Sequence, residues 1–316
     1  MYYIGVDIGG TSIKAGLVTE KGHLIYKEST LTQKDAGYKV LAKDISDLVF
    51  SVLLKNNLSQ EEIEAIGIGY PGSVDNEKGT IIYSNNISVD KGSPIREELE
   101  KYIKKPVYLG NDADCAALGE YFAIGDDKIK NLVAVTFGTG VGCGIIIDKK
   151  IYTGSNGSAG EVGHTVIVMD GKDCTCGRKG CWEAYASVTA LIRDAKIAAS
   201  ENPSSALYHR IKENGGKANG KMVFDLSQSG DETSKKLLEK YIRYIGEGIV
   251  NLINIFQPEY VVIGGGISSQ KDALVNPVKK YVSTRIYGAG RLSCPDIVAA
   301  KMGNDAGIVG AALLAL

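Results

Sequence analysis

Apolar residues in the first part of the chain form short strand-like runs separated by one helical pattern. The segment from Tyr2 to Val18 predicts a strand, a glycine turn and a second strand, and the run HLIYKES predicts a third strand. Residues 39–56 place their apolar side chains at helical spacing, and residues 63–72 predict a buried strand that ends in a Pro-Gly turn. Strands and helices that alternate in this way predict an α/β protein.

The second part of the chain begins with a similar pattern. Residues 131–148 again predict an apolar strand, a glycine turn and an apolar strand. A shift of 128 residues aligns Gly10 with Gly138, Thr11 with Thr139, and Gly16 with Gly144. This internal repeat indicates two lobes of related fold, each presenting backbone amides at the tip of a hairpin. The alternative is that the two hairpins are unrelated tight turns.

Later segments add a third glycine cluster and two helices. Residues 258–268 predict a buried strand that runs directly into three consecutive glycines, 264–266. Residues 237–257 predict a long amphipathic helix. The alanine-rich segment 304–316 predicts a final helix, whose two glycines allow close packing.

The composition excludes several classes of function. The chain has 316 residues, with 36 basic and 37 acidic side chains and a formal net charge of −1. This balance argues against nucleic acid or an anionic membrane surface as a partner. The N-terminus does not resemble a signal peptide, and the chain has no stretch of about 18 apolar residues. We therefore expect a soluble cytoplasmic protein, in which thiols stay reduced.

Glycine turns that follow strands expose backbone N–H groups, which can bind phosphate oxygens. The chain has no Walker A loop, and its GTGVGCG run leads into a strand rather than a helix, unlike a dinucleotide-binding fingerprint. Two hairpin loops, each with a threonine, and a later triple glycine suit a nucleotide held between two lobes. Asp7 precedes the first loop, where its carboxylate could hold Mg²⁺ through water.

An acidic residue follows another predicted strand at a junction with a helix. Residues 106–109 predict the strand, and Asn111 and Asp112 follow at the start of the helix. A carboxylate at such a junction could accept a proton from a hydroxyl that attacks a phosphate. The alternative is that Asp112 only caps the helix, and Asp114 could serve as that cap instead.

The order of the chemical motifs resembles one known family. The motifs run in the order DIGGT, PG, NDAD, FGTGVG, EVGH with CxCGxxGCxE, and IGGG. This order resembles the ROK family of sugar kinases, within the actin-like and hexokinase-like ATPases, over essentially the whole chain. Inside that family the sequence is most similar to the bacterial ATP-dependent glucokinases. The resemblance implies an α/β fold with two ribonuclease H-like lobes, residues 1–115 plus 303–316 and residues 116–302.

The resemblance also implies the roles of individual residues. Asp112 becomes the general base for the sugar hydroxyl, and Asp7 the residue that holds Mg²⁺. The implied sugar-binding residues are Gly72, Asn85, Asn86, Asn111, Asp112, Glu161, His164 and Glu183. The implied ATP-binding residues are Gly9, Gly10, Thr11, Ser12, Lys14, Gly138, Thr139, Gly140, Gly265 and Gly266.

The same resemblance contains a cysteine-rich signature. His164, Cys174, Cys176 and Cys181 supply one imidazole and three thiolates, which is a tetrahedral zinc set. Because all four positions are taken by protein, the expected zinc is structural. The remaining cysteines (Cys115, Cys143 and Cys294) are isolated, and we expect them to be small buried residues.

We therefore expect ATP-dependent phosphorylation of a hexose, D-glucose to glucose 6-phosphate, by a homodimer or homotetramer without nucleic-acid or membrane partners. One alternative is a kinase for another hexose or an N-acetylhexosamine, such as fructose or N-acetylmannosamine. The sequence departs from the glucokinase pattern here, because Ser88 and Val89 follow the implied sugar-binding asparagines where glucokinases usually carry a tryptophan. A remote alternative is a sugar-responsive regulator. Such regulators carry a DNA-binding segment before the first glycine loop, whereas Asp7 already belongs to that loop.

Overall fold

The computed structural model describes residues 1–84, 87–126 and 128–316. In the first part of the chain, the predicted strands and the long helix lie where the hydrophobic pattern places them, whereas β5, β6 and α2 were not predicted. The elements are β1 (Tyr2–Ile8), β2 (Ser12–Thr19), β3 (Leu24–Leu31), α1 (Tyr38–Lys55), β4 (Ala65–Tyr70), β5 (Ser73–Asp75), β6 (Thr80–Tyr83), α2 (Ile95–Glu100), β7 (Val107–Asn111) and α3 (Asp112–Ile124).

The second part of the chain opens with a hairpin and continues mainly as helices. The elements are β8 (Leu132–Phe137), β9 (Val141–Ile147), β10 (Lys150–Ile151), α4 (Glu183–Ala186), α5 (Val188–Glu201), α6 (Ala206–Glu213), α7 (Gly220–Gln228), α8 (Glu232–Phe256), β11 (Tyr260–Gly264), α9 (Asp272–Val282), β12 (Asp296–Ala299) and α10 (Ala306–Ala312). Short 3₁₀ turns cover Val162–His164 and Gly266–Gln270. In the part of the chain that the structure describes, no helix is both long enough and apolar enough to cross a membrane.

Two five-stranded sheets have the same strand order. The first sheet has the order β3-β2-β1-β4-β7, and the second has the order β10-β9-β8-β11-β12. In the first sheet β4 is parallel to both β1 and β7, and in the second β11 is parallel to both β8 and β12. The equivalent order confirms the internal repeat, so the alternative of two unrelated turns is wrong.

The chain divides into two compact units. Unit 1 contains Met1–Lys128, Gly144–Gly160 and Asn304–Leu316, and unit 2 contains Ile129–Cys143 and Glu161–Gly303. The division expected from the sequence differs, because its boundary after residue 115 would cut α3 at the end of its first turn. That helix runs unbroken to Ile124 and belongs to unit 1 over its whole length.

Within unit 1, the final helix α10 packs closely against a neighbouring helix and the first sheet. A Cβ atom added to Gly310 would lie 1.6 Å from the carbonyl oxygen of Cys115 in α3. A Cβ atom added to Gly5 in β1 would lie 1.8 Å from the carbonyl oxygen of Ile308 in α10. Both positions therefore require glycine, and the expected close packing of this helix is confirmed.

Candidate functional site

The first glycine loop is the turn between β1 and β2 in unit 1. The backbone N–H of Gly9 donates to the carbonyl oxygen of Ser12 at 2.9 Å, and the hydroxyl of Thr32 donates to the carbonyl oxygen of Gly9 at 2.7 Å. A Cβ atom at Gly10 would find no atom closer than the end of the Lys34 side chain, at 4.0 Å. The tip of this loop is therefore held at its base and open above Gly10, as a phosphate-binding turn requires.

Asp7 and Lys14 lie directly opposite each other on β1 and β2. Their side chains form an ion pair, with Lys14 Nζ 3.2 Å from Asp7 Oδ2. Gly307 of α10 lies against this carboxylate, since an added Cβ would approach Asp7 Cγ to 2.9 Å. A partly exposed carboxylate and an ammonium group are thus placed together just below the first glycine loop.

Asn111 is the residue that caps α3. Its side-chain oxygen accepts a hydrogen bond from the N–H of Ala113 at 2.8 Å, and its amide nitrogen donates to the carbonyl oxygen of Gly72 at 3.0 Å. Asp112 is the first residue of the helix and is half-buried, with one carboxylate oxygen 2.9 Å from the N–H of Ala113. The N-cap is therefore neither Asp112 nor Asp114, and the Asp112 carboxylate lies at the positive end of the helix dipole.

Gly72 follows β4 and joins this group through its carbonyl. Its φ of 149° lies in the region that favours glycine, and an added Cβ would lie 2.1 Å from the carbonyl oxygen of Tyr83. The structure thus brings Gly72, Asn111 and Asp112 together within unit 1. Asn85 and Asn86 lie outside the described residues.

Cys115 lies beneath these carboxylates, one turn into α3. Its side chain is fully buried, and burial, followed by the charges of Asp114, Asp7 and Asp112, raises the pKa of its thiol well above the usual value. Cys115 is therefore held as a neutral thiol in the core of unit 1.

Two of the three isolated cysteines match the expectation from the sequence. Cys115 and Cys143 are buried, as predicted. The prediction for Cys294 is wrong, because its side chain is exposed in the segment that precedes β12.

The second glycine loop connects β8 and β9 in unit 2. The N–H of Gly138 donates to the carbonyl oxygen of Gly140 at 3.0 Å, and the N–H of Val188 donates to the carbonyl oxygen of Gly138 at 2.9 Å. Gly265 adopts a φ of 79°, and a Cβ there would lie 2.3 Å from the carbonyl oxygen of Phe137. The third glycine cluster therefore lies against the start of the second glycine loop.

A cavity of about 350 Å³ adjoins these two glycine clusters in unit 2. Three of its lining residues (Gly138, Thr139 and Gly266) were predicted from the sequence. The others come from α5, α7 and the turn after β11, and no sequence motif identified them: Val188, Thr189, Ile192, Gly220, Lys221, Ile267, Ser269 and Gln270. Apolar walls beside backbone amides suit the base and the phosphates of a nucleotide, respectively.

His164, Cys174, Cys176 and Cys181 form one compact cluster in unit 2. Their ligand atoms all lie within 4.8 Å of one another. Cys174 Sγ is 3.6 Å from His164 Nδ1, and Cys176 Sγ is 3.7 Å from Cys181 Sγ. A tetrahedral ion with Zn–S bonds of about 2.3 Å separates two sulfur ligands by about 3.8 Å, so the cluster fits zinc.

The remaining predicted sugar-binding residues of unit 2 lie beside this cluster. The second ring nitrogen of His164, Nε2, is 3.9 Å from Glu161 Oε2. Glu183 accepts a hydrogen bond from the N–H of Val141 at 3.0 Å, and its other carboxylate oxygen is 4.0 Å from Cys174 Sγ. Glu183 thus touches both the cysteine cluster and the second glycine loop, which the sequence did not indicate.

Comparisons with known proteins cover nearly the whole chain. Residues 3–316 match the ROK family. The chain is 36% identical over 311 residues to a glucokinase from Halalkalibacterium halodurans, spanning 98% of this chain and 93% of that protein. It is 30% identical over 328 residues to an N-acetyl-D-glucosamine kinase from Vibrio cholerae, spanning 99% of each. A ROK family glucokinase from Streptomyces griseus, crystallised with glucose and AMPPNP, matches with a TM-score of 0.82 and 34% identity, over 99% of this chain and 98% of that one.

Proposed function

Because the chain belongs to the ROK family, whose match extends over residues 3–316, we propose that it transfers the γ-phosphate of ATP to a hydroxyl of a hexose. The observation that carries this proposal is the position of Asp112. Its carboxylate lies at the start of α3, beside a capping asparagine that also binds Gly72. Glucokinases at 36% identity support the reaction class, and a glucokinase crystallised with glucose and AMPPNP supports ATP as the donor.

We assign the proton transfer to Asp112. As the sugar hydroxyl attacks the phosphorus atom, its oxygen becomes acidic and needs an acceptor for the proton. The Asp112 carboxylate is held at the start of α3, so it can take that proton without moving far. Asn111, through its bond to Gly72, holds the start of the helix in place.

In this proposal, the glycine loops bind the nucleotide. The first and second loops, which have open space beside Gly10 and Gly138, offer backbone N–H groups to the phosphates, and the cavity beside Gly266 accepts the base. Asp7 would hold Mg²⁺, which supplies charge neutralisation for the phosphates when bound. Lys14, paired with Asp7, adds a further positive charge at the same loop.

For the sugar, the proposed contacts are Gly72, Asn111 and Asp112 from unit 1, with Glu161, His164 and Glu183 from unit 2. Carboxylates and an imidazole can together accept from and donate to several hydroxyls. His164 would bind zinc through Nδ1, which leaves Nε2 for a hydroxyl next to Glu161. We propose D-glucose as the preferred sugar, on the basis of the glucokinase relatives.

A second candidate substrate is an N-acetylhexosamine. An N-acetyl-D-glucosamine kinase is 30% identical to this chain along its whole length. In addition, Ser88 and Val89 occupy the positions where glucokinases usually carry a tryptophan. Because of these two observations, N-acetylglucosamine and N-acetylmannosamine are included among the sugars tested as substrates.

The test is ADP release with Mg²⁺-ATP against glucose, mannose, fructose, N-acetylglucosamine and N-acetylmannosamine. We expect the highest kcat/KM with glucose. A higher value with an acetylated sugar would transfer the assignment to that sugar. ADP release with none of them would contradict the proposal of a hexose kinase.

A further inference from the structure

The three residues Cys181–Glu183 connect the metal-ligand cluster to the second glycine loop. Cys181 is a member of the cluster, and Glu183 is the first residue of α4. Because only Trp182 separates them along the chain, the position of Cys181 constrains the positions of Trp182 and Glu183. These two side chains contact the two ends of the glycine loop.

Trp182 contacts the residue at the start of the loop. Its side chain is fully buried, its indole N–H donates to the carbonyl oxygen of Tyr244 at 2.7 Å, and its backbone N–H donates to the carbonyl oxygen of Thr165 at 2.8 Å. The indole packs edge-on against Phe137, with ring centroids 5.5 Å apart. Phe137 is the last residue of β8 and immediately precedes Gly138.

Glu183 contacts the residues at the end of the loop. Its carboxylate accepts from the N–H of Val141, the first residue of β9. The same oxygen occupies the space beside Gly140, where an added Cβ would lie 2.3 Å away. The carboxylate therefore fixes the point at which the glycine loop returns to the sheet.

The segment that carries His164, the other end of the cluster, also contacts β9. Gly163 precedes the ligand His164, and a Cβ at Gly163 would lie 2.4 Å from the carbonyl oxygen of Val141. Val141 is therefore contacted through its N–H by Glu183 and on its carbonyl side by Gly163. An ion that ties His164 to Cys181 would fix both contacts at once.

We propose that the metal cluster positions the second glycine loop through Trp182 and Glu183, so that nucleotide affinity depends on the bound ion. This inference rests on the proposed function, which assigns that loop to the phosphates of the nucleotide. Without the ion, the four ligands lose their common link, and the segment Cys181–Glu183 loses one of its fixed ends. Glu183 is then a positioning residue for the nucleotide, in addition to its proposed contact with the sugar.

The test measures ADP binding without sugar, by titration calorimetry on the full chain. We compare zinc-loaded protein, protein stripped by a chelator and then reloaded, Glu183→Ala and Glu183→Gln. Stripping and Glu183→Ala should each raise the Kd for ADP about tenfold, since the hydrogen bond that positions the loop is lost or misplaced. Glu183→Gln should stay close to wild type, because its amide oxygen can accept from Val141, and reloading with zinc should restore the affinity.

Lys179→Ala is the matched control, because Lys179 is exposed in the same loop, does not belong to the cluster, and pairs only weakly with Asp173 at 3.5 Å. Its Kd for ADP should be unchanged. Loss of the circular dichroism signal on stripping would mean that the protein has unfolded. In that case the ADP affinities of zinc-loaded Glu183→Ala and Glu183→Gln test the contact between Glu183 and the glycine loop in folded protein. Equal ADP affinity in Glu183→Ala, Glu183→Gln and wild type would overturn the coupling. Wild-type protein that binds no ADP would instead overturn the proposed function.

Discussion

Asp112 is half-buried and holds a fixed position at the start of α3, so a single substitution can test its role. Asp112→Asn keeps the shape of the side chain but cannot accept a proton at neutral pH. We therefore expect kcat to fall by about 10²–10⁴ while the KM for sugar changes little. Steady-state kinetics with saturating ATP measures both quantities.

Glu97→Gln serves as the control for Asp112→Asn, since Glu97 is an exposed acid in the first turn of another helix, α2. It removes one negative charge from a helix N-terminus and should leave kcat unchanged. An Asp112→Asn enzyme with more than a tenth of the wild-type kcat would remove Asp112 from the role of base.

Gly72 is held in a conformation and a space that only glycine fits. Gly72→Ala introduces a Cβ 2.1 Å from the carbonyl oxygen of Tyr83, at a φ of 149°. We expect the free energy of unfolding to fall by more than about 2 kcal/mol, because backbone strain and a clash add together. Gly37→Ala, at a φ of 81° with open space around it, isolates the cost of positive φ and should be milder. Urea denaturation measures the free energy of unfolding of both variants. Equal losses of this free energy would show that the protein relieves the clash at Gly72 without cost.

The sequence identified many residues of the candidate site but not their contacts. Local patterns place Asp112 at a strand–helix junction, yet the side chain that caps the helix depends on rotamers, and the structure assigns it to Asn111. The bond from Val141 to Glu183 joins residues 42 positions apart. No periodicity or turn signal encodes such a contact, because it arises only when two distant segments pack together.

At the scale of elements, a substitution in α10 changes helix propensity and packing in opposite directions. Alanine at Gly310 should raise the free energy of unfolding through helix propensity and lower it through the clash. Alanine normally stabilises a helix by about 0.5–1 kcal/mol relative to glycine. Gly310→Ala should nevertheless destabilise the protein by about 1–3 kcal/mol, because its Cβ would meet the backbone of Cys115, which cannot move aside alone. Gly246→Ala in α8 meets only the ring of Tyr281, a side chain that can shift, and should cost less. Thermal unfolding gives the comparison, and a stabilised Gly310→Ala would contradict the close packing of α10.

The loop that carries His164 and the three clustered cysteines gives a second prediction at the scale of elements. Because four protein ligands close the shell, zinc should copurify at about one ion per chain and exchange slowly. Cys174→Ser should lose most of the zinc and most of the activity. Cys294→Ser is the control, since its thiol is exposed and outside the cluster, and its zinc content should equal that of wild type. Elemental analysis of both variants settles the stoichiometry, and full zinc in Cys174→Ser would contradict the ligand set.

Elements with a strong hydrophobic period were predictable, and shorter ones were not. The hairpins β1–β2 and β8–β9 and the helices α1 and α8 follow directly from apolar spacing. Helices α5 and α7, which supply walls of the cavity beside Gly138 and Gly266, were not placed from the sequence. No sequence pattern predicts this cavity, because segments far apart in the sequence form its walls.

At the scale of the whole molecule, the internal repeat was predictable and the unit boundaries were not. Two glycine hairpins that align after a shift of 128 residues indicated two related halves, and the two sheets have the same strand order. The boundaries depend on packing across several crossings of the chain. Gly144, for example, lies against Ala117 of α3, where an added Cβ would approach to 2.4 Å, so residues 144–160 belong to unit 1.

The net charge of the whole chain also predicts whether the protein binds nucleic acid. This prediction matters because a sugar-responsive regulator, which would bind DNA, is the remote alternative. With 36 basic and 37 acidic side chains, we expect no retardation of a duplex DNA in a gel at low salt and micromolar protein. Some basic residues do gather along a groove of about 680 Å³ in unit 2, including Arg243, Lys280 and Arg285.

Two features of this groove argue against DNA binding there. Arg285 stacks on the ring of Tyr281 at 3.8 Å, and Tyr281 in turn bonds to Glu247, which places a carboxylate beside the cations. A negative charge so close would repel phosphates and offset part of the attraction of the arginine. Retardation that weakens steeply with added salt and disappears in Lys280→Glu would contradict this prediction, and it would identify the groove as the basic surface responsible. Retardation that changes when sugar is added would favour the regulator over the kinase. The balanced charge of this chain instead predicts free DNA in every lane, with and without sugar.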